Sequence, residues 1–174
     1  MKPIIGLVGP SESGKTTLIV EMLKRFPDHL APLLSLTTRQ RREPFDDIFY
    51  KIVSEKELRH REVEGKLIQV SEYAGSLYAN NTEELLETLK DKAVIGALVE
   101  DGVQNFVRAG FNVIVIKILP EGGRLSDSEM RVAADKERVK QALEADFEII
   151  NDFAPGGLEM AVEDLASALE IAIQ

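Results

Sequence analysis

Eight residues near the start of the chain, Gly9-Pro10-Ser11-Glu12-Ser13-Gly14-Lys15-Thr16, restrict its fold more than any other feature. They satisfy G-x-x-x-x-G-K-[ST] and lie between an apolar run of strand length, Pro3 to Val8, and a segment of helical period, Thr16 to Phe26. Such a turn presents backbone N–H groups and a helix N-terminus to an anion. The spacing predicts a loop in which Gly9 and Gly14 let the backbone wrap a phosphate, with Ser11, Ser13 and Thr17 in the same wrap. Lys15 would reach the outer phosphates of a nucleoside triphosphate, and the Thr16 hydroxyl would hold Mg2+.

The rest of the chain repeats the alternation of strand and helix. Further strands are expected at Leu33–Thr37, Ile48–Val53, Lys66–Tyr73, Ala93–Val99, Phe111–Leu119 and Phe147–Ile150. Helices are expected at Glu55–Glu64 behind the Ser54/Glu57 capping pattern, at Thr82–Lys90, briefly after Asp101, from Ser126 or Ser128, and from Leu158. This order predicts an α/β chain of three layers around a parallel core sheet. At 174 residues it is long enough for one domain. The net charge of −9 argues against nucleic acid and anionic membrane as partners, so any phosphate must meet a local positive cluster. With no cysteine and two distant histidines, neither a disulfide framework nor a Cys/His zinc site can be built. No apolar stretch reaches bilayer length and no signal-type segment opens the chain, so a cytoplasmic location is expected.

Ser35-Leu36-Thr37-Thr38-Arg39-Gln40-Arg41-Arg42 resembles the S-x-T-T-R-x-x-R segment of guanylate kinases. Tyr50 resembles that family's tyrosine before a strand, Ala74 to Tyr78 its G-N-x-Y element, Val99 to Val103 its D-x-x-G-V turn, and Ile149-Ile150-Asn151-Asp152 its last strand. The resemblance implies a core of residues 1–34 and 81–174, a monophosphate-binding insertion at about 35–80 and a shortened lid at about 120–128. It also implies phosphoryl transfer from ATP, with Mg2+, to a nucleoside monophosphate, GMP first. Asn151 would join the ATP-binding residues; Ser35, Arg39, Arg42, Tyr50, Gln69, Tyr78 and Glu100 would bind the acceptor; and Lys15, Arg124 and Arg131 would be catalytic. Elementary chemistry agrees for the clamp, since two arginines and two phenols can bond a dianionic phosphate.

Several alternatives stay open. Arg39, Arg41 and Arg42 could instead form a solvated loop pairing with Asp46 and Asp47. Gln69 stands where the family places a carboxylate that accepts two guanine N–H groups. An amide offers one acceptor there, so guanine is favoured only if Glu72 or Glu100 reaches in, and an adenine or uracil edge would suit Gln69 equally. Glu100 or Asp101 could organise the magnesium. The N-K-x-D and D-x-x-G sequences of GTPases are missing. A binding module without catalysis and a kinase for a ribose bisphosphate remain as alternatives, and the oligomeric state is open.

Overall fold

The computed structural model describes residues 1–41, 46–122 and 143–173. In chain order the elements are β1 (Ile4–Val8), α1 (Lys15–Arg25), β2 (Leu30–Pro32), β3 (Ser35–Thr37), α2 (Asp46–Phe49) and β4 (Tyr50–Ile52). They continue with α3 (Glu55–Val63), β5 (Leu67–Tyr73), β6 (Ser76–Asn81), α4 (Thr82–Asp91), β7 (Ala93–Ala97) and α5 (Glu100–Arg108). Last come β8 (Val113–Glu121), β9 (Phe147–Asp152) and α6 (Gly157–Ala172).

Every residue of β1 is buried, as an apolar run must be when a strand is covered on both faces. It lies at the centre of a five-stranded parallel sheet of order β2-β7-β1-β8-β9. Successive side chains point to opposite faces. Ile5 and Leu7 pack with Leu18, Ile19 and Met22 of α1 and with Ala161, Leu165 and Leu169 of α6. On the other face Ile4 joins Leu85 and Leu89 of α4 and Phe106 of α5, while Val8 meets Val103. This is the predicted three-layer α/β fold with a parallel core sheet. The strand order reverses at β1, so the crevice beyond its carboxyl end is where a doubly wound sheet binds ligands.

A second sheet, of order β4-β3-β6-β5, has its own apolar cluster of Leu36, Val53, Leu58, Leu77 and Ala79. Along β6, Leu77 and Ala79 enter this cluster, and Tyr78 and Asn80, alternating with them, face the opposite side. Two helices begin as their sequences demand: Ser54 Oγ accepts from the Glu57 amide at 3.2 Å and Asn81 Oδ1 from that of Glu84 at 3.1 Å.

Three sequence expectations need correction. The strand expected at Leu33–Thr37 starts only at Ser35 and pairs with β4 and β6 in the small sheet, while Leu30–Pro32, where no strand was expected, pairs with β7 in the large one. Leu33 sits at the crossing, its amide still bonded to the Ile95 carbonyl at 2.9 Å. Residues Ile48 and Phe49 belong to a helical turn, which buries Phe49 and leaves Ile48 outside, and the strand starts only at Tyr50. Strand β6 was not expected at all. It is created by the two-residue turn Ala74-Gly75, both at positive φ (49° and 74°), which folds Ser76 back onto Tyr73. The helix expected from Ser126 or Ser128 lies outside the described residues, as does most of the proposed lid.

Leu58 is fully buried at the centre of the small cluster. Leu58→Ala should cost about 2–5 kcal/mol. Hydrogen exchange should show the loss in the amides of β3 to β6 before those of β1, β7 and β8.

Candidate functional site

The loop between β1 and α1 is held from behind. A Cβ on Gly9 would stand 2.6 Å from the Ile118 carbonyl oxygen of β8. One on Gly14, at φ 87°, would stand 2.2 Å from Asn151 Nδ2 of β9. Asn151 is buried and donates to the Ser13 carbonyl at 2.9 Å, so this last-strand amide fixes the loop backbone instead of facing the cleft. Ser13 is also buried. Lys15 Nζ donates to the carbonyls of Gly9 (2.9 Å) and Pro10 (2.5 Å) and to Ser13 Oγ (3.2 Å), which places the ammonium inside the turn. Helix α1 has no acidic residue in its first turn and no side-chain cap, leaving its N-terminal amides to an anion.

Ser11, Gly14, Lys15, Thr16 and Thr17 form one wall of a cleft of about 470 Å³, ample for a nucleotide-sized ligand. The small sheet forms the facing wall with Ser35, Arg39, Tyr50 and Tyr78. Arg39 is aimed by a chain of bonds that fastens the segment after β3 to β6: Thr37 Oγ1 donates to the Leu77 carbonyl at 2.8 Å and accepts from the Arg39 amide at 3.1 Å. Its guanidinium lies 4.5 Å from the Tyr50 ring centroid, and Tyr50 meets Tyr78 edge-on with centroids 6.1 Å apart. Asp46 holds the same guanidinium in an ion pair whose side chains are only 11% and 8% exposed. Arg41 pairs with Asp47 in solvent. Both pairings expected of a basic loop are therefore present, and Arg39 still lines the cleft.

Beyond Tyr78 the wall turns neutral. Buried Asn80 donates to the Leu34 carbonyl (2.8 Å) and to Ser35 Oγ (3.0 Å), and Asn105 of α5 donates to Ser71 Oγ (2.9 Å). Ile68, Phe106, Leu98, Val99 and Gly102 complete this end. Glu100 and Asp101 occupy the first turn of α5 but do not line the cleft, whose wall there is Ala97, Leu98 and Val99. Glu72 is exposed and alternates away from Ser71 and Tyr73. Neither of the two acids that could compensate for Gln69 is among the described residues lining the cleft. The Gln69 backbone belongs to β5, and its side chain, like Arg42, Arg124 and Arg131, lies outside what the structure describes.

Several lining residues escaped the sequence. Asn80 could have been found from its alternation with Tyr78, and Asp46 was visible only as a partner for arginine. Tyr73, Ser71, Asn105 and Phe153 carried no local signal, because β5, α5 and the end of β9 converge only in the fold.

Thr16 lines the phosphate wall, and Glu12 is the carboxylate nearest to it in sequence that does so. Among the described residues no cluster of three or more acidic, histidine or cysteine side chains could hold a metal. This donor set fits a magnesium ion carried mainly by nucleotide phosphates and water, with Thr16 as protein ligand.

A family model described as guanylate kinase matches residues 1–171. The guanylate kinase of Rubrobacter xylanophilus is 32% identical over 166 residues, covering 86% of this chain and 85% of that protein. The guanylate kinase of a Nostoc species is 27% identical over 163 residues, covering 86% and 82%. The crystal structure of guanylate kinase from Anaplasma phagocytophilum superposes with a TM-score of 0.71 at 20% identity, over 99% of this chain and 87% of that one. That structural likeness bears on the fold.

Glu12 is the loop's departure from ease, a non-glycine at φ 65° whose exposed carboxylate lines an anion cleft. Left-handed backbone costs about 1–2 kcal/mol at an L-residue, and glycine gives back about 0.4–1 kcal/mol through the unfolded chain. Glu12→Gly should therefore melt slightly above Glu12→Ala, which loses the same side-chain contacts but keeps the left-handed backbone. Glu12→Gln should tighten binding without stabilising the fold, as thermal unfolding and nucleotide titration would show.

Proposed function

We propose, for a chain that belongs to the guanylate kinase family, that it transfers the γ-phosphoryl group of ATP to the phosphate of a nucleoside monophosphate, with GMP as the acceptor. One observation supports this reading: the phosphate loop and the Arg39–Tyr50–Tyr78 group line a single cleft, so two phosphates would meet in it. In the transfer the bond from the γ-phosphorus to the bridging oxygen of ADP breaks, and a bond from the acceptor's phosphate oxygen forms in line with it. The transition state is loose, with charge on the equatorial oxygens, and asks for positioning and positive charge more than for covalent chemistry.

Lys15 and the α1 N-terminus would hold the β- and γ-phosphates, the nucleotide's oxygens taking the place of the loop oxygens that Lys15 now meets. Thr16 would hold magnesium, which supplies neutralising charge to the phosphates. Arg39, oriented by Asp46 and stacked on Tyr50, would bond the acceptor phosphate together with the Tyr50 and Tyr78 hydroxyls. Arg42 would add to that clamp, and Arg124 and Arg131 would neutralise the transferring phosphoryl group with Lys15. Residues 35–80 would close over the acceptor and exclude water, which keeps ATP from being wasted on hydrolysis.

The neutral wall around Asn80 and Asn105 favours a second reading of the acceptor. Among the described lining residues no carboxylate stands at that end to take the paired N–H groups of guanine. A missing charge-assisted bond is worth about 1.5–3 kcal/mol, or about tenfold to a hundredfold in affinity. A kinase of this architecture with a different base, or with a ribose bisphosphate acceptor, would fit that wall.

Product-resolved transfer from ATP to GMP, dGMP, AMP, UMP, CMP and ribose bisphosphate decides between them. Product from GMP alone supports the guanylate kinase assignment, and product from another acceptor moves it. ATP binding without any transfer would replace both with a binding module. Lys15→Ala should lower kcat by about a hundredfold to a thousandfold. Tyr78→Phe should raise the acceptor KM by about twofold to tenfold, the worth of one neutral hydrogen bond, and leave that for ATP unchanged.

A further inference from the structure

Tyr73 belongs neither to the phosphate loop nor to the acceptor clamp, yet its hydroxyl lies 2.9 Å from Ser11 Oγ. The two residues are 62 positions apart, Ser11 in the loop after β1 of the large sheet and Tyr73 at the end of β5 in the small one, and both line the cleft. This bond runs from one wall of the site to the other.

Its position on the small sheet gives it leverage. Tyr73 ends β5, next to the Ala74-Gly75 turn, and pairs with Ser76. Two steps along the same hairpin Ser71 pairs with Tyr78, so Tyr73 and the clamp tyrosine share one rigid ribbon. The turn is sharp, with Ala74 held at φ 49°, which leaves the ribbon's tip little freedom. From Tyr78 the contact continues through the Tyr50 ring to Arg39. The Ser11–Tyr73 contact is thus joined through the hairpin to the Arg39–Tyr50–Tyr78 group, beside the Asn105–Ser71 bond that ties the same strand to α5.

We propose that Tyr73 is a positioning residue: through Ser11 it registers the β5–β6 hairpin against the phosphate loop, and so fixes the distance between donor and acceptor phosphates. This rests on the kinase function proposed above. In-line transfer is sensitive to such a register, since a misplacement of about 1 Å can cost a hundredfold in rate. Neither substrate loses a direct contact when the register slackens, so the effect belongs to kcat and not to KM. Water also gains access to the γ-phosphate when the walls part.

The test compares wild type with Tyr73→Phe, Ser11→Ala and the double variant. Tyr73→Phe should keep the fold, lower kcat for transfer by tenfold or more, leave both KM values within about twofold, and raise the ratio of ATP hydrolysis to transfer. The double variant should be no slower than the worse single one. Unchanged kcat in Tyr73→Phe, additive losses in the cycle, or a loss confined to the KM for ATP would each overturn the proposal.

A readout independent of acceptor identity separates this from the kinase assignment. Addition of a non-hydrolysable ATP analogue should slow hydrogen exchange at the Leu77–Asn80 amides in wild type and not in Tyr73→Phe. Wild type that transfers to no acceptor but shows this coupling would refute the kinase and retain the register. Wild type that transfers normally, with equal exchange in both proteins, would retain the kinase and refute the register.

Discussion

The phosphate loop has no room behind it. Gly9 lies against the backbone of β8 and Gly14 against the amide of Asn151 on β9, at separations no side chain could occupy. The loop is thus packed onto the carboxyl ends of three adjacent parallel strands, and its curvature is that of the sheet's own edge. Lys15, bonded to three oxygens of the turn, and α1, which opens without a competing acid, inherit their direction from that packing. A loose loop could bind phosphate; only one seated this way holds it at a fixed height above the sheet.

The small sheet depends on that seat from the other side. Its apolar cluster is separate from the core under α1 and α6, and its placement rests on Ile68 of β5, packed with Ile4, Leu85, Leu89 and Phe106, together with the connections at the cleft. Arg39 illustrates the balance of forces there. A guanidinium this buried needs a partner, and Asp46 supplies it, since breaking a buried pair costs about 3–5 kcal/mol. The ring of Tyr50 fills one face and leaves donors toward the cleft. A counter-ion and a phosphate ligand are therefore compatible on one arginine, because a guanidinium has five N–H groups in a planar fork.

Local pattern made much of this legible. The phosphate loop, the caps at Ser54 and Asn81, and the apolar runs of β1, β7, β8 and β9 each carry their physics within a few residues. The sequence was least informative where one stretch serves two sheets. Leu30 to Thr37 reads as nearly continuous apolar chain, and nothing local marks the crossing at Leu33-Leu34. Strand β6 hid because Ser76-Leu77-Tyr78-Ala79-Asn80-Asn81 is half polar; its alternation became meaningful once a second apolar cluster existed for Leu77 and Ala79 to enter. Ion pairing and a place on the cleft wall looked like alternatives for Arg39 in one dimension, and the fold provides both.

By itself the sequence determined that a phosphate loop would stand between a buried strand and a helix, that alternating elements would build a parallel three-layer core, and that arginine and tyrosine would gather after the second strand. The first two follow from spacing and periodicity, which act over one or two turns of chain, and the third from the resemblance of Ser35–Arg42, Tyr50 and Tyr78 to guanylate kinase motifs. Tertiary structure alone decided that Asn151 would brace the loop, that Glu72 and Glu100 would stay out of the cleft, that Asn80 and Asn105 would make its far end neutral, and that Tyr73 would reach Ser11. Each of those contacts joins residues from elements distant in the chain, and no local preference can encode where two distant elements will meet.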